Sequence, residues 1–477
     1  MELSRLSALE ADPRLDGLPY DLVGVGLGPF NLSLAALADG VPALRTVFLD
    51  AKPEFSWHPG LMIEGARMQV PFLADLVSLV DPTSPWSFLA YLRERQRLFP
   101  FYFAEQWHLS RREYEDYCRW AAERLPNCRF DSPVKAVRWN GDRQLFEVEV
   151  PGQEPCLARH VVLGVGTEPV VPAAFAGLLG DGGPVLHSEE YLTSPRSPRT
   201  VAAATDITVV GSGQSGAEVF LDLLLRRGAN PGQRLRWITR SAALAPMEYS
   251  KLGLEHFTPD YTRFFHALPE RVRDALVPSQ WQLYKAASAE TLAAIHDALY
   301  ERTTAGGDAE VEIVPGTEVR TARRGPCGGL ELHCAHTPTG AQYALRTDVA
   351  VLATGYAPRR PALLDPVHDL IDWDEQGRYR VGLDYRVGLR PDVTAGLYVQ
   401  NAELHTHGVG TPDLGLGAHR AAVILNAVSA DVLGRTVHRL PETTAWTTFG
   451  RPRSATDLEP GRRDEPAALP AISVPLA

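Results

Sequence analysis

An α/β fold with two Rossmann-like dinucleotide-binding domains and a mainly helical insertion is predicted by two observations. A strand-like apolar run meets a glycine loop and then a helical pattern twice, first from Tyr20 and again from Ile207. The two units stand about 187 residues apart, far beyond a solenoid period, so they belong to separate domains.

Taken in order, Tyr20 to Val25 is the first strand, running into Gly24-Val-Gly26-Leu-Gly28-Pro29-Phe30-Asn31 and the helical stretch Leu32 to Ala38. Thr46 to Leu49 is the next short strand and ends at Asp50. His160 to Gly166 has the same strand-to-glycine character. Ile207 to Val210 leads into Gly211-Ser-Gly213-Gln214-Ser215-Gly216, an amphipathic helix over Ala217 to Leu225 and a strand over Trp237 to Thr239. The helical pattern from Lys251 to Tyr300 reads as an insertion, about 251–303. Val349 to Ala353 is a further strand and runs into Thr354-Gly355-Tyr356. The resulting division is a tail at 1–19, a discontinuous first domain at 20–200 and 345–449, a second domain at 201–344, and a tail at 450–477.

The 477 residues are 45% hydrophobic and 22% charged, enough apolar surface to bury a large core. A net charge of −11 argues against a nucleic-acid partner, because phosphate binding needs a basic face. Cys118, Cys128, Cys156, Cys327 and Cys334 form no C-x-x-C pair, so neither a metal site, a redox dithiol nor a disulfide framework is indicated. No signal-peptide pattern opens the chain, and no uninterrupted apolar run approaches the roughly 20 residues of a membrane span. A cytoplasmic protein with no membrane partner is expected.

Glycines at a strand–helix junction let a pyrophosphate approach backbone N–H groups at a helix N-terminus. The first loop has Gly24, Gly26 and Gly28, with Pro29 where a third fingerprint glycine would stand; a structural turn is the competing reading. Asp50 is placed to accept the ribose hydroxyls of an adenosine, and the N-terminal position suits FAD. The second loop, Gly211-x-Gly213-x-x-Gly216 with Gln214 and Ser215 inside it, is a complete fingerprint. Arg240 ends its following strand where an acid would select NADH, which favours NADPH through the 2′-phosphate; a surface arginine pointing away is the competing reading. One flavin and one nicotinamide donor in a chain without a dithiol indicate a flavin oxidoreductase that passes electrons to oxygen or an external acceptor.

Several segments are more specific. The loop Gly24 to Leu32 resembles the FAD motif of the microbial N-hydroxylating flavin monooxygenases, the lysine and ornithine hydroxylase family of siderophore biosynthesis. Phe55-Ser-Trp57-His58-Pro59-Gly60 and Met68-Gln69-Val70-Pro71-Phe72-Leu73 resemble it too. So do Asp348-Val-Ala-Val-Leu352-Ala-Thr354-Gly355-Tyr356 and Asn401-Ala-Glu-Leu-His405-Thr406-His407-Gly408. The resemblance implies FAD and NADPH as cofactors, with Trp57, His58, Gln69, Thr354, Gly355, Tyr356 and His407 around the flavin. It further implies that Gln69 acts at the flavin's reactive edge, against the plainer reading of a polar strand residue. Implied chemistry is transfer of oxygen from O₂, through a C4a-hydroperoxyflavin, to a primary amine. That amine must be neutral, since an alkylammonium with pKa of about 10.4 has no lone pair to attack with. Members of the family are often oligomers, so a homo-oligomer is expected on that ground alone. Phe175-Ala-Gly177 stands too far from His187 for the F-x-G-x-x-x-H motif of related monooxygenases, which leaves His187 as a degenerate form of it or a buried structural histidine.

In amino-acid hydroxylases of the family, F-L-K-D supplies a lysine to the substrate carboxylate, and an N-E-x-F-x-P segment supplies an asparagine. Here those positions are Ala74 and Leu254, followed by Glu255. A third family asparagine, near amine and nicotinamide, aligns loosely with Ser288. Losing two charge-assisted contacts of roughly 1.5–3 kcal/mol each disfavours a carboxylate. The expected substrate is therefore a diamine, putrescine or cadaverine, with Glu255 as a candidate partner for its distal ammonium. L-Lysine held by Arg67, Lys285 or backbone is the alternative, then L-ornithine. A non-hydroxylating NADPH oxidase or regulatory relative is the reading from another class.

Overall fold

The computed structural model describes residues 18–180, 183–195, 197, 204–226, 232–304, 310–325, 328–452 and 455. Most of the two expected tails, and Cys327, lie outside the described residues.

The first sheet is built on Tyr20–Val25, whose residues Leu22 and Val23 are fully buried. It lies parallel between Thr46–Leu49 and Cys156–Leu163, and Cys128–Arg129 extends the Thr46–Leu49 edge. Gly396–Val399 adds a parallel strand beyond Cys156–Leu163, with Gly396 opposite His160 and Val399 opposite Leu163. That long strand also carries an antiparallel meander with Leu145–Glu149 and Ala136–Asn140. Helices Pro29–Asp39 and Gly417–Leu433 pack on each other over one face of the sheet, within a core that includes Leu32, Phe48, Ala421 and Leu425. The second of these is long and apolar enough to cross a membrane by length and composition, yet it is largely buried inside the protein and carries Arg420 at 1% exposure. An apolar core helix is the physical reading of that pattern.

The second sheet is wholly parallel, in the order Val185–His187, Val349–Leu352, Asp206–Val210, Arg234–Ile238, Val311–Val314. Continuous apolar strands buried on both faces are what a parallel sheet requires. Helix Gln214–Arg226 follows its glycine loop. Three antiparallel strands, Thr317–Arg324, Leu330–His336 and Ala341–Thr347, form a separate sheet before the chain returns to Val349.

Two expected boundaries move. The division read from the sequence puts Val185–His187 and Val349–Leu352 in the first domain, but they pair in the second sheet. Their apolar runs look alike, and only the tertiary pairing tells the sheets apart. Helix Ala289–Thr303 was placed in the insertion, but it is the crossover between Arg234–Ile238 and Val311–Val314 and packs against Gln214–Arg226. The insertion proper therefore ends before Ser288. It holds Pro259–His266, Glu270–Ser279 and Trp281–Tyr284.

Candidate active site

Both glycine loops open at the C-terminal ends of parallel strands, where an open α/β sheet binds its ligands. Between them lies a cavity of about 2350 Å³. Of the expected residues, Pro29, Trp57, His58, Gln69, Ala74, Gly211, Gly213, Gln214, Ser215, Arg240, Leu254, Ser288, Thr354, Gly355 and Tyr356 line it. Strand Arg67–Pro71, the end of Asp206–Val210, the insertion and the loop after His407 all contribute walls.

The first loop fits a flavin pyrophosphate. Gly24 packs so closely on the Phe48 ring that a Cβ would lie 2.1 Å from it. Gly26 has φ +87°, which favours glycine. Gly28 has open space where its side chain would be, and it begins helix Pro29–Asp39 with no side chain capping the helix N-terminus. Free N–H groups at that end suit an anion. Asp50 is fixed by the loop itself: its Oδ2 accepts the Leu27 N–H at 2.6 Å and its Oδ1 the Lys52 N–H at 2.8 Å. It is buried and does not line the cavity, so its visible part is holding the glycine turn against the strand end.

The second loop is tighter still. Gly211 has φ +121°, and a Cβ there would sit 2.1 Å from the Ala353 carbonyl oxygen. A Cβ on Gly216 would meet the Gly211 carbonyl oxygen at 2.3 Å, the close helix–strand approach a fingerprint glycine permits. Ser212 and Ser241 hydroxyls lie 3.0 Å apart beside Arg240. Lys285 joins them on the cavity wall; partial burial, and then the charge of Arg240, hold its ammonium below the ordinary lysine range. Two cations facing each other with two hydroxyls suit the 2′-phosphate of NADPH. Arg240→Ala is expected to raise KM for NADPH while leaving NADH nearly unchanged; equal losses with both donors in steady-state assays would remove Arg240 from this role.

Between the loops, Gln69 sits on strand Arg67–Pro71 and its Nε2 donates to Met247 Sδ at 3.2 Å, tethering the amide to the segment that leads into the insertion. The Tyr249 hydroxyl donates to the same sulfur at 3.3 Å. Trp57 and His58 form an edge-to-face pair at 5.0 Å, and His58 meets Tyr356 at 6.1 Å. His58 has φ 48°, and burial, then Arg111 and Lys52, push its imidazole down to about 4. It is neutral at physiological pH. An ion pair crosses between the two halves: Arg111 Nη1 lies 2.7 Å from Glu218 Oε2. Gln214 Nε2 donates to Glu218 Oε1 at 2.7 Å, while its Oε1 accepts the Ser288 N–H at 2.7 Å.

Ala74, at 6% exposure, and Leu254 line the same cavity, as expected for one substrate pocket. Three other expected residues have different surroundings. Glu255 does not line the cavity; its carboxylate accepts the N–H groups of Trp446 at 3.1 Å and Thr447 at 2.6 Å. Ser288 reaches the wall, but its hydroxyl caps helix Ala289–Thr303 through the Thr291 N–H at 3.2 Å. His407 is a core residue, 2% exposed, stacked on Tyr385 at 4.3 Å and edge-on to His266 at 5.3 Å. Burial drives its imidazole well below the usual range, and it does not line the cavity. His187 is likewise buried and packs edge-on to Tyr356 at 5.1 Å, supporting the wall from behind.

Asp413 carries no motif of its own, and the sequence does not single it out. It lines the cavity in the loop after His407, together with Thr411, Pro412, Leu414 and Gly415. A Pro-Asp step inside a glycine-rich segment was the available signal.

Residues 18–358 match the model of the L-lysine 6-monooxygenase/L-ornithine 5-monooxygenase family. A putrescine N-hydroxylase of Acinetobacter baumannii is 36% identical, over 90% of this chain and 93% of that protein. The FAD-bound crystal structure of DfoA, the desferrioxamine-pathway cadaverine monooxygenase of Erwinia amylovora, superposes with a TM-score of 0.85. Its identity is 39%, over 92% of this chain and 100% of that one. The ornithine N-hydroxylase KtzI of Kutzneria sp. 744, with reduced FAD, NADP⁺ and L-ornithine, gives 0.79 at 30% identity, covering 87% and 99%.

Proposed function

From the premise that the chain belongs to the L-lysine 6-monooxygenase/L-ornithine 5-monooxygenase family, and is a flavin-dependent N-monooxygenase using FAD and NADPH, we propose that its substrate is an aliphatic diamine, putrescine or cadaverine. The observation that carries this reading is that Ala74 and Leu254 both line the cavity, where amino-acid hydroxylases of the family are expected to present a lysine and an asparagine. An apolar wall there leaves a substrate carboxylate unpaired, and burying such a charge costs several kcal/mol. A diamine brings no carboxylate. The identity to a putrescine N-hydroxylase and to a cadaverine monooxygenase supports the same class. Lysine would need another cation. The candidates on the cavity wall are Arg67, which donates to Gln106 Oε1 and the His108 carbonyl oxygen, and Lys285, which stands beside Arg240 at the second glycine loop.

When bound, FAD reduced by NADPH supplies the activated oxygen that passes to the amine nitrogen. The chain's own part is positioning and exclusion of water. The N-terminus of helix Pro29–Asp39 receives the flavin pyrophosphate, and that of Gln214–Arg226 the nicotinamide donor's. Gln69 is assigned to the reacting edge, its amide held by Met247. We assign Trp57 to the apolar surroundings of the reacting amine, which favour the neutral nitrogen the reaction requires. A homo-oligomer in the cytoplasm remains part of this proposal; the four described cysteines are free thiols, as a reducing compartment allows.

The test is product analysis of purified holoenzyme with putrescine, cadaverine, lysine and ornithine. Higher kcat/KM for hydroxylamine formation with a diamine is expected, and Ala74→Lys should lower diamine use by setting like charges together. A preference for lysine over both diamines of tenfold, about 1.4 kcal/mol, would overturn the proposal in favour of lysine. NADPH consumption without hydroxylamine from any amine would identify an oxidase instead.

A further inference from the structure

We propose that Asp413 is the anion that holds the distal ammonium of the substrate, making it a residue that determines specificity for diamines. The inference rests on the diamine reading above.

Among the acids that line the cavity, most are already committed or exposed. Glu218 is paired with Arg111, Asp222 with Arg226, and Glu318 with Arg320. Glu64, Glu105 and Glu290 are solvent-exposed. Asp413 is half-buried, lines the cavity and, alone of this set, is neither solvent-exposed nor paired with a cationic side chain among the described residues.

Its geometry is built rather than incidental. The carboxylate Oδ1 accepts the Gly415 N–H at 2.6 Å, opening the short turn Leu414–Leu416, and the Asp413 N–H donates to the Gly410 carbonyl at 3.1 Å. That turn packs against the strand carrying Gln69. On the other side stands the insertion: a Cβ on Gly410 would lie 3.9 Å from Phe257 Cα. Phe257 and Tyr249 both line the cavity, and the charge of Asp413 reaches the Tyr249 phenol. Arg420, the nearest cation behind the loop, is committed elsewhere. It pairs with Glu403 at 3.2 Å and donates to the Gly410 and Thr411 carbonyl oxygens.

A carboxylate so placed is destabilised by burial, which pushes its carboxyl up to about 6. An ammonium entering the cavity offsets that penalty, whereas a substrate carboxylate adds to it. One residue therefore attracts a diamine and repels an amino acid, the attractive and repulsive halves of specificity together. The neutral nitrogen that reacts and the charged nitrogen that anchors are then at opposite ends of one molecule.

The test compares putrescine and cadaverine with butylamine and pentylamine, which lack the second nitrogen. In the wild-type holoenzyme, kcat/KM for a diamine should exceed that for its monoamine by roughly 10- to 100-fold, the worth of a charge-assisted contact. Asp413→Asn should bring the two within threefold of each other, mainly through KM for the diamine. Asp413→Glu keeps the charge but extends it into the cavity, so it should retain the diamine advantage and shift preference from cadaverine toward putrescine. Equal use of diamine and monoamine by the wild type would overturn the anchor outright. An undiminished diamine advantage in Asp413→Asn overturns Asp413 while leaving the diamine reading intact. A wild-type preference for lysine overturns that reading itself. If Asp413→Asn does not retain flavin, Asp413→Glu decides: loss of the diamine advantage with flavin retained counts against the proposal, and the shift toward putrescine supports it.

Discussion

Gly26→Val is expected to give protein without flavin. Gly26 stands at φ +87°, where a β-branched residue is strongly disfavoured, and its Cβ would lie 2.5 Å from the Gly164 carbonyl oxygen. Neither side can yield cheaply. The Gly26 N–H is bonded to the Leu49 carbonyl at 2.8 Å, and the Gly26 carbonyl accepts from Asn31 Nδ2 at 2.7 Å. The opposing wall, Gly164, is itself bonded through its N–H to the Val25 carbonyl. Displacing the loop shifts the start of helix Pro29–Asp39, and with it the N–H groups assigned to the pyrophosphate. The purified variant should lack the visible flavin spectrum, and its far-ultraviolet circular dichroism will show whether the rest of the chain has folded. Stoichiometric flavin in this variant would show that the first loop does not receive FAD.

Glu403→Leu should destabilise the holoenzyme by about 3–5 kcal/mol, the cost of leaving a buried charge unpaired. Glu403 is 0% exposed and Arg420 is 1% exposed, so neither can turn to water when its partner is lost. The Arg420 guanidinium lies 4.5 Å from the Phe30 ring centroid and 5.5 Å from that of Tyr385, an environment that suits a paired cation. The denaturant midpoint reports the effect, and the double variant Glu403→Leu with Arg420→Met should recover a large part of it. An unchanged midpoint in the single variant would mean that the pair contributes nothing net.

Local features were the legible ones. The glycine loops and the two strand–helix units depend on a few adjacent residues, and the structure places them as expected. Ala74 and Leu254 line one cavity although 180 positions separate them, and each was recognisable because it occupies a segment of the family pattern. What was not legible depended on distant partners. Glu255 looked free because the N–H groups that take its carboxylate belong to Trp446 and Thr447. His407 lies in a motif beside the cavity, but a motif orders residues along the chain and does not say which way each ring turns; Tyr385 and His266 capture this one. Val349–Leu352 reads as an apolar strand in either sheet, and only its pairing with Asp206–Val210 decides. Asp413 stayed hidden because one acid in a turn has no periodicity to betray it.

The Arg111–Glu218 bridge, with Gln214 and Ser288 attached, has a thermodynamic consequence. Arg111 begins a helix packed in the first core, Glu218 lies on the helix after the second glycine loop, and Ser288 begins the crossover helix of the second sheet. An opening of either half exposes a charge that the other half was neutralising. The two nucleotide-binding halves thus share one cooperative unit of local stability, and a ligand that tightens one lowers the population of open forms in the other without touching it.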